Sequence, residues 1–113
     1  MTDETTEPDR RASVRAKRPI EIEYSADCPP IRARLDDLSE TGAFIDTAHS
    51  LGEGAHVIVR FTLPDDAEDD RIQCHARVVW VEPMVGVGVE FVGLDQRSVE
   101  RIRDYVAKEL FGW

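Results

Sequence analysis

A chain of 113 residues, 42% apolar and 33% charged, has the size and composition of one soluble globular domain whose core needs neither disulfides nor metal. Its apolar runs, such as Val78-Val79-Trp80-Val81, fall far short of the roughly 18 residues a membrane-spanning helix requires, so no membrane insertion is expected. The formal charge of −9 excludes a duplex-binding surface, because affinity for DNA or RNA rests on many phosphate contacts across a basic face.

That charge is unevenly spread along the chain. Asp3, Glu4, Glu7 and Asp9 give residues 1–9 a charge of −4, and this segment reads as a disordered acidic tail. Its polar, acidic start is unlike a secretion or lipidation signal, so a cytoplasmic address is expected. Arg10, Arg11, Arg15, Lys17 and Arg18 then give residues 10–18 a charge of +5, a basic arm on a remainder that carries −10, and a local patch of this kind suits a small anion with few phosphates. Residues 10–113 read as a single domain that includes this arm.

From Pro19 the pattern has period two. Ile20, Ile22 and Tyr24 alternate with Glu21 and Glu23, predicting a strand; Ile31, Ala33 and Leu35 alternate with Arg32, Arg34 and Asp36, predicting a second. Asp37-Leu38-Ser39-Glu40-Thr41-Gly42 breaks the alternation with turn-forming residues before a short strand at Ala43-Phe44-Ile45. Val57, Val59, Phe61 and Leu63 mark a fourth strand, followed by an acidic hairpin loop over 64–70. The longest strand runs from Ile72 to Glu82, with Cys74, Ala76, Val78 and Trp80 expected on one face. Val87, Val89 and Phe91 mark a sixth. The period then becomes 3.6: Val99, Ile102, Val106 and Leu110 predict an amphipathic helix with Asp95 as N-cap and Gly112 as its stop. A meander of six strands and one helix fits a small closed barrel with the helix packed on it.

Two segments carry chemistry. Arg11 and Arg15 lie four residues apart in the basic arm, and the guanidinium fork suits both phosphate and the O6 and N7 acceptors of guanine. Asp37 offers the complement, an acceptor for the N1–H and amine donors of a guanine edge. If residues 37–39 stay extended, Ser39 projects from the same face as Asp37. Gly42 permits either a positive φ or a close backbone approach. Each feature alone has a plainer reading, as a solvated charge pair or an Asx turn. Their order and separation point to a guanine nucleotide.

With these residues the sequence resembles the PilZ family. The family's hallmark is Arg-x-x-x-Arg near the domain start and, a strand pair later, Asp/Asn-x-Ser-x-x-Gly. Arg11, Arg15, Asp37, Ser39 and Gly42 match it without substitution, and the likeness continues through Gly42-Ala43-Phe44-Ile45, Val78-Val79-Trp80 and Gly86–Phe91 into the helix. The later half is similar to the stand-alone variants of myxobacteria. The resemblance implies a mainly β fold, a six-stranded antiparallel barrel with a C-terminal α-helix. It implies a receptor for cyclic di-GMP with no catalytic activity and no cofactor, in which Arg11 and Arg15 grip phosphate and guanine while Asp37, Ser39 and Gly42 hold a guanine edge. Arg10, just before the motif, is the position where a basic residue favours two intercalated dinucleotides. The arm is expected to order over the ligand and to relay the signal to a protein effector, in motility, exopolysaccharide export or gene regulation.

Other features take plainer readings. His49, His56 and His75 lack metal-ligand spacing, and loop 64–70 lacks the alternating ligands of a calcium loop, so no metal is expected. Cys28 and Cys74 read as reduced thiols without an activating base. Trp80 could stack on a base, as an aromatic does in some PilZ proteins, but its strand position favours core or barrel-surface packing. Tyr105, Phe111 and Trp113 are left for a second subunit or the barrel end. No nucleophile–base pair or phosphate-cradling glycine loop suggests an enzyme. The competing expectation is a PilZ-like protein-interaction adaptor with little or no nucleotide binding.

Overall fold

The computed structural model describes residues 19–26, 30–49, 51–64, 66–67 and 70–111. Six strands form in chain order: β1 (Ile20–Ser25), β2 (Ile31–Asp36), β3 (Gly42–Asp46), β4 (His56–Phe61), β5 (Ile72–Glu82) and β6 (Gly86–Phe91), followed by helix α1 (Gln96–Phe111). All pairings are antiparallel, and the sheet closes in the order β1-β2-β3-β6-β5-β4. The expected meander is therefore corrected. Two three-stranded meanders, β1–β3 and β4–β6, are joined by β3 pairing with β6 and β1 with β4. Strand alternation names the faces of a sheet but not the neighbours of each strand, so period alone could not show this.

The alternation does fill the barrel. Ile20, Ile22 and Tyr24 from β1, Leu35 from β2, Ala43 and Ile45 from β3, Val57, Val59 and Phe61 from β4, and Val87 and Val89 from β6 are all buried in one core. Closure leaves no hydrogen-bonding edge open, which removes the usual route to edge-to-edge association. The Tyr24 hydroxyl, which cannot be buried without a partner, lies 2.9 Å from Thr47 Oγ1.

On β5 the inward set runs Ile72, Cys74, Ala76 and Val78 and then stops. Val78 pairs with Val89, but Trp80, not Val79, pairs with Gly88, so one extra residue is inserted as a bulge. Past it the faces exchange: Trp80, expected to share a face with Val78, is instead 45% exposed on the outside of the barrel.

Helix α1 closes the barrel end where the β2–β3 turn, the β4–β5 loop and the entry to β1 converge. Asp95 caps it, accepting the Ser98 amide on Oδ1 at 2.8 Å and the Val99 amide on its carbonyl at 3.0 Å. This capping holds the Asp95 carboxyl below its ordinary value. The expected stop, Gly112, lies outside the described residues. Ile102, Tyr105 and Val106 are the buried stripe, Val99 is half-buried and Leu110 is 44% exposed. Tyr105 thus takes the core position that the sequence pattern assigned to Leu110. Arg101 ties the helix to the acidic loop: its Nη2 donates to Asp66 Oδ2 at 2.6 Å and to the Asp70 carbonyl at 2.5 Å.

Burial of Cys74 pushes its thiol up to about 11 from the ordinary 9.0. The neutral form is the one the core accepts, so this group costs the fold nothing below pH 9 and erodes stability as pH rises toward 11. In a Cys28→Ser variant at pH 8, Cys74 is expected to react with iodoacetamide about a hundredfold more slowly than a free thiol, and at the free rate in urea. Rapid alkylation of the folded protein would contradict its burial.

Candidate functional site

The Asp37–Gly42 segment is built as an anchored turn. Leu38 is fully buried and fixes it to the core. Asp37, immediately before it, adopts φ 56°, a left-handed conformation that aspartate tolerates better than most residues, and its amide donates to Asp36 Oδ1 at 2.7 Å. Residues 37–39 are therefore not extended, and Asp37 and Ser39 do not share an outward face. Ser39 is fully buried. Its amide donates to the Gly42 carbonyl at 2.9 Å, while its Oγ lies 2.9 Å from Thr41 Oγ1 and accepts the Thr41 amide at 3.1 Å. The hydroxyl is used within the turn, which corrects the expectation that it faces outward.

Gly42 answers to the second of its two expected reasons. Its φ is not positive; instead, a Cβ there would lie 2.2 Å from the Val89 carbonyl oxygen of β6. The Phe91 amide donates to the Thr41 carbonyl at 2.9 Å, so the turn is joined to β6 on both sides of the glycine. Glu40 closes the arrangement from the helix side, accepting hydrogen bonds from Arg103 Nε and, at 3.3 Å, from Nη2. That pairing raises the Arg103 guanidinium above its ordinary value. The turn is thus held by the core, by β6 and by α1, and it leaves the half-buried Asp36 and Asp37 at the barrel rim.

Beside the turn lies an aromatic surface. Register places Asp36 opposite Phe44, Phe44 opposite Gly88, and Gly88 opposite Trp80, one row across the outer face of β2, β3, β6 and β5. The Phe44 and Trp80 rings sit 5.2 Å apart, tilted by 36°. They rest on glycine: a Cβ on Gly88 would meet Trp80 Nε1 at 2.0 Å, and one on Gly86 would meet the Phe44 ring at 2.6 Å. Sequence reasoning did not single out Asp36 or Phe44, and it weighed base stacking for Trp80 before favouring packing. The available signal was the glycine at alternate positions of β6, where an aromatic from a neighbouring strand can lie flat.

Arg10, Arg11 and Arg15 lie outside the described residues. Their point of attachment does not: Ile20 pairs with Leu35, so the chain enters the barrel at Pro19 alongside Asp36 and Asp37. Cys28 and the expected tail over 1–9 also lie outside the described residues. Among the described residues no group of His, Cys, Asp and Glu could hold a metal ion, and no helix is long and apolar enough to cross a membrane.

The chain matches the PilZ domain family over residues 9–108. A search of curated proteins gives no match. Among solved structures, the Bacillus subtilis inhibitor of motility MotI/DgrA superposes with a TM-score of 0.79 at 17% identity, covering 91% of this chain and 52% of its own. The Borreliella burgdorferi PlzA protein, solved in complex with c-di-GMP, gives 0.59 at 15% identity, covering 76% and 32%. The PilZ domain of CeSA from a cellulose-synthesizing bacterium gives 0.56 at 20% identity, covering 87% and 95%. This chain therefore spans about half the length of MotI/DgrA and a third of PlzA.

The turn geometry predicts that Gly42→Ala and Ser39→Ala differ in degree. Gly42→Ala must part β3 from β6 and should cost about 2–3 kcal/mol in urea unfolding; Ser39→Ala loses buried hydrogen bonds and should cost about 1–2 kcal/mol. A Gly42→Ala protein as stable as the parent would refute the close-approach account. With the family match over residues 9–108 and the six-stranded barrel in agreement, the chain belongs to the PilZ family.

Proposed function

We propose that this domain is a receptor for cyclic di-GMP, and that its arm carries the ligand contacts the sequence assigns to it. The observation that carries the reading is the convergence at one barrel end: β1 begins beside Asp36 and Asp37, so the arginine segment 10–18 is attached where the anchored turn and the aromatic row meet. Asp37 accepts from the guanine edge. Ser39 and Gly42 act by shaping the turn that presents it. Arg11 and Arg15 supply phosphate and guanine contacts, and Arg10 extends the basic surface toward a second dinucleotide. Phe44 and Trp80 provide a flat apolar face on which a base can stack, and stacking of this kind contributes about 1–3 kcal/mol per base.

PlzA, a structural neighbour, was solved with the same dinucleotide, which supports the choice of ligand. Binding, rather than catalysis, is the function: the half-buried carboxylates and outer aromatics suit recognition of a guanine edge and face, and the turn's one buried hydroxyl is used to hold the backbone. Ordering of the arm over the ligand changes the surface around β1 and β2, and a protein effector reads that change.

Calorimetric titration with cyclic di-GMP, with GTP and cyclic di-AMP as controls, is expected to show saturable binding of cyclic di-GMP alone. Arg15→Ala should abolish it, and Trp80→Ala, at an exposed position, should weaken it about tenfold or more. A parent chain that gives neither heat nor thermal stabilisation would make the domain a protein-interaction adaptor instead.

A further inference from the structure

The described arginines divide into two sets. Arg77 pairs with Glu90, Arg97 and Arg101 with Asp70 and Asp66, and Arg103 with Glu40. Among the described residues, Arg32, Arg34, Arg60 and Arg71 have no carboxylate within ion-pair distance, and these four line one open groove of about 900 Å³ on the outer face of the barrel. Register explains the gathering. Outward positions place Arg34 opposite Glu21, Arg32 opposite Glu23, and Glu23 opposite Arg60, with Arg71 just before β5 completing the row. Arg60 donates through Nε to Gln73 at 3.0 Å, whereas its Nη1 is shielded from solvent without any hydrogen-bond partner.

Four guanidiniums against the two carboxylates of Glu21 and Glu23 leave a positive excess on a body whose net charge is strongly negative. The groove spans β2, β1, β4 and the start of β5, roughly 14 Å across at about 4.8 Å per strand. A single phosphate cannot reach all four groups. The two glutamates between the arginines, and the acidic body around them, oppose a nucleic acid. An extended peptide bearing several spaced carboxylates matches both the width and the charge alternation.

We infer that this groove is a docking surface for an acidic segment of a partner protein. The inference rests on the receptor reading only in making this face an output surface; the docking itself requires no nucleotide. The groove lies on the β1 side of β2, and the Asp36–Phe44 row continues from β2 to the other side. Strand β2 therefore carries the guanine-facing end and the partner-facing groove together.

The test is fluorescence anisotropy of a labelled dodecapeptide of alternating glutamate and glycine, titrated with the full chain at low ionic strength. Saturable binding is expected, lost at about 1 M salt, where the Debye length falls to about 3 Å. Arg32→Glu/Arg71→Glu, two exposed sites, should weaken it at least about tenfold, Arg32→Gln/Arg71→Gln by less, and the control Arg97→Glu should leave it unchanged. Thermal melting of each variant shows that the fold is kept, and the glutamine variant serves should the glutamate variant unfold. Absent binding, or equal loss with Arg97→Glu, would overturn the inference. So would binding that appears only after removal of residues 1–9, which would make the chain's own acidic segment the occupant. Displacement by inorganic phosphate at equal charge would make the groove a small-anion site and overturn it too. Cyclic di-GMP is titrated into the same variants. Unaltered dinucleotide binding beside lost peptide binding supports separate surfaces, whereas joint loss gives the groove to the nucleotide and overturns the inference. A parent that binds the peptide but no dinucleotide refutes the receptor reading alone.

Discussion

The barrel depends on how closely β3 can approach β6. These strands join the two three-stranded meanders, and at Gly42 the Val89 carbonyl oxygen occupies the space a side chain would need. Once that contact is made, the rest of the pairing is determined. Ala43 and Ile45 point inward beside Val87 and Val89, and Phe44 points outward over the β6 glycines. The same contact determines the turn, because the Thr41 carbonyl meets the Phe91 amide only when β3 and β6 are in this register. The barrel-closing constraint and the Asp37–Gly42 turn are therefore one structure. On the proposed reading, Ser39 and Gly42 serve recognition by holding the backbone that positions Asp37.

A second consequence follows on the outer face. Without the bulge at Val79, Trp80 would point into the barrel beside Val78, and the core would have to accommodate an indole. The extra residue exchanges the faces, and Gly88 gives the ring a bed. Resting on the β6 glycines, the tilted Phe44–Trp80 pair keeps Trp80 45% exposed to solvent. An exposed tryptophan on a soluble surface carries an apolar cost that a stacking ligand would offset.

What could be read from the sequence follows from what each signal encodes. Strand positions were legible because half-buried strands write their inner face at period two, and Ile72–Glu82 was found at its observed bounds. Neighbour order was not legible, since alternation is the same whichever strand lies alongside. The face of Trp80 was lost because a bulge adds one residue without changing composition. On α1, Tyr105 and Leu110 both carry apolar surface, and the way the helix docks on the barrel, which periodicity does not encode, buries Tyr105 and leaves Leu110 44% exposed. The Asp37–Gly42 segment was recognised as a unit, but side-chain chemistry suggested that all its polar groups face a ligand. The left-handed Asp37 and buried Leu38 show why they do not: the turn must satisfy its own backbone before it can present anything.

The same logic applies to the charges on the outer face of β1, β2 and β4. In an acidic protein carboxylates outnumber the basic groups, and Arg77, Arg97 and Arg103 each pair with one while Arg101 pairs with two. Arg32, Arg34, Arg60 and Arg71 gather around only Glu21 and Glu23, and among the described residues none of the four closes an ion pair. Surface pairs are individually weak, so the loss is small for the fold, but the gathered field is large enough to attract an acidic segment. The basic arm enters at the Asp36 end of β2, and the groove begins at Arg34, two residues along the same strand. On the proposed reading, a ligand that fixes the arm at one end of β2 alters the electrostatic field over the groove at its other flank. A relay of that kind needs no movement of the barrel, only a change in where the positive charge of the arm resides.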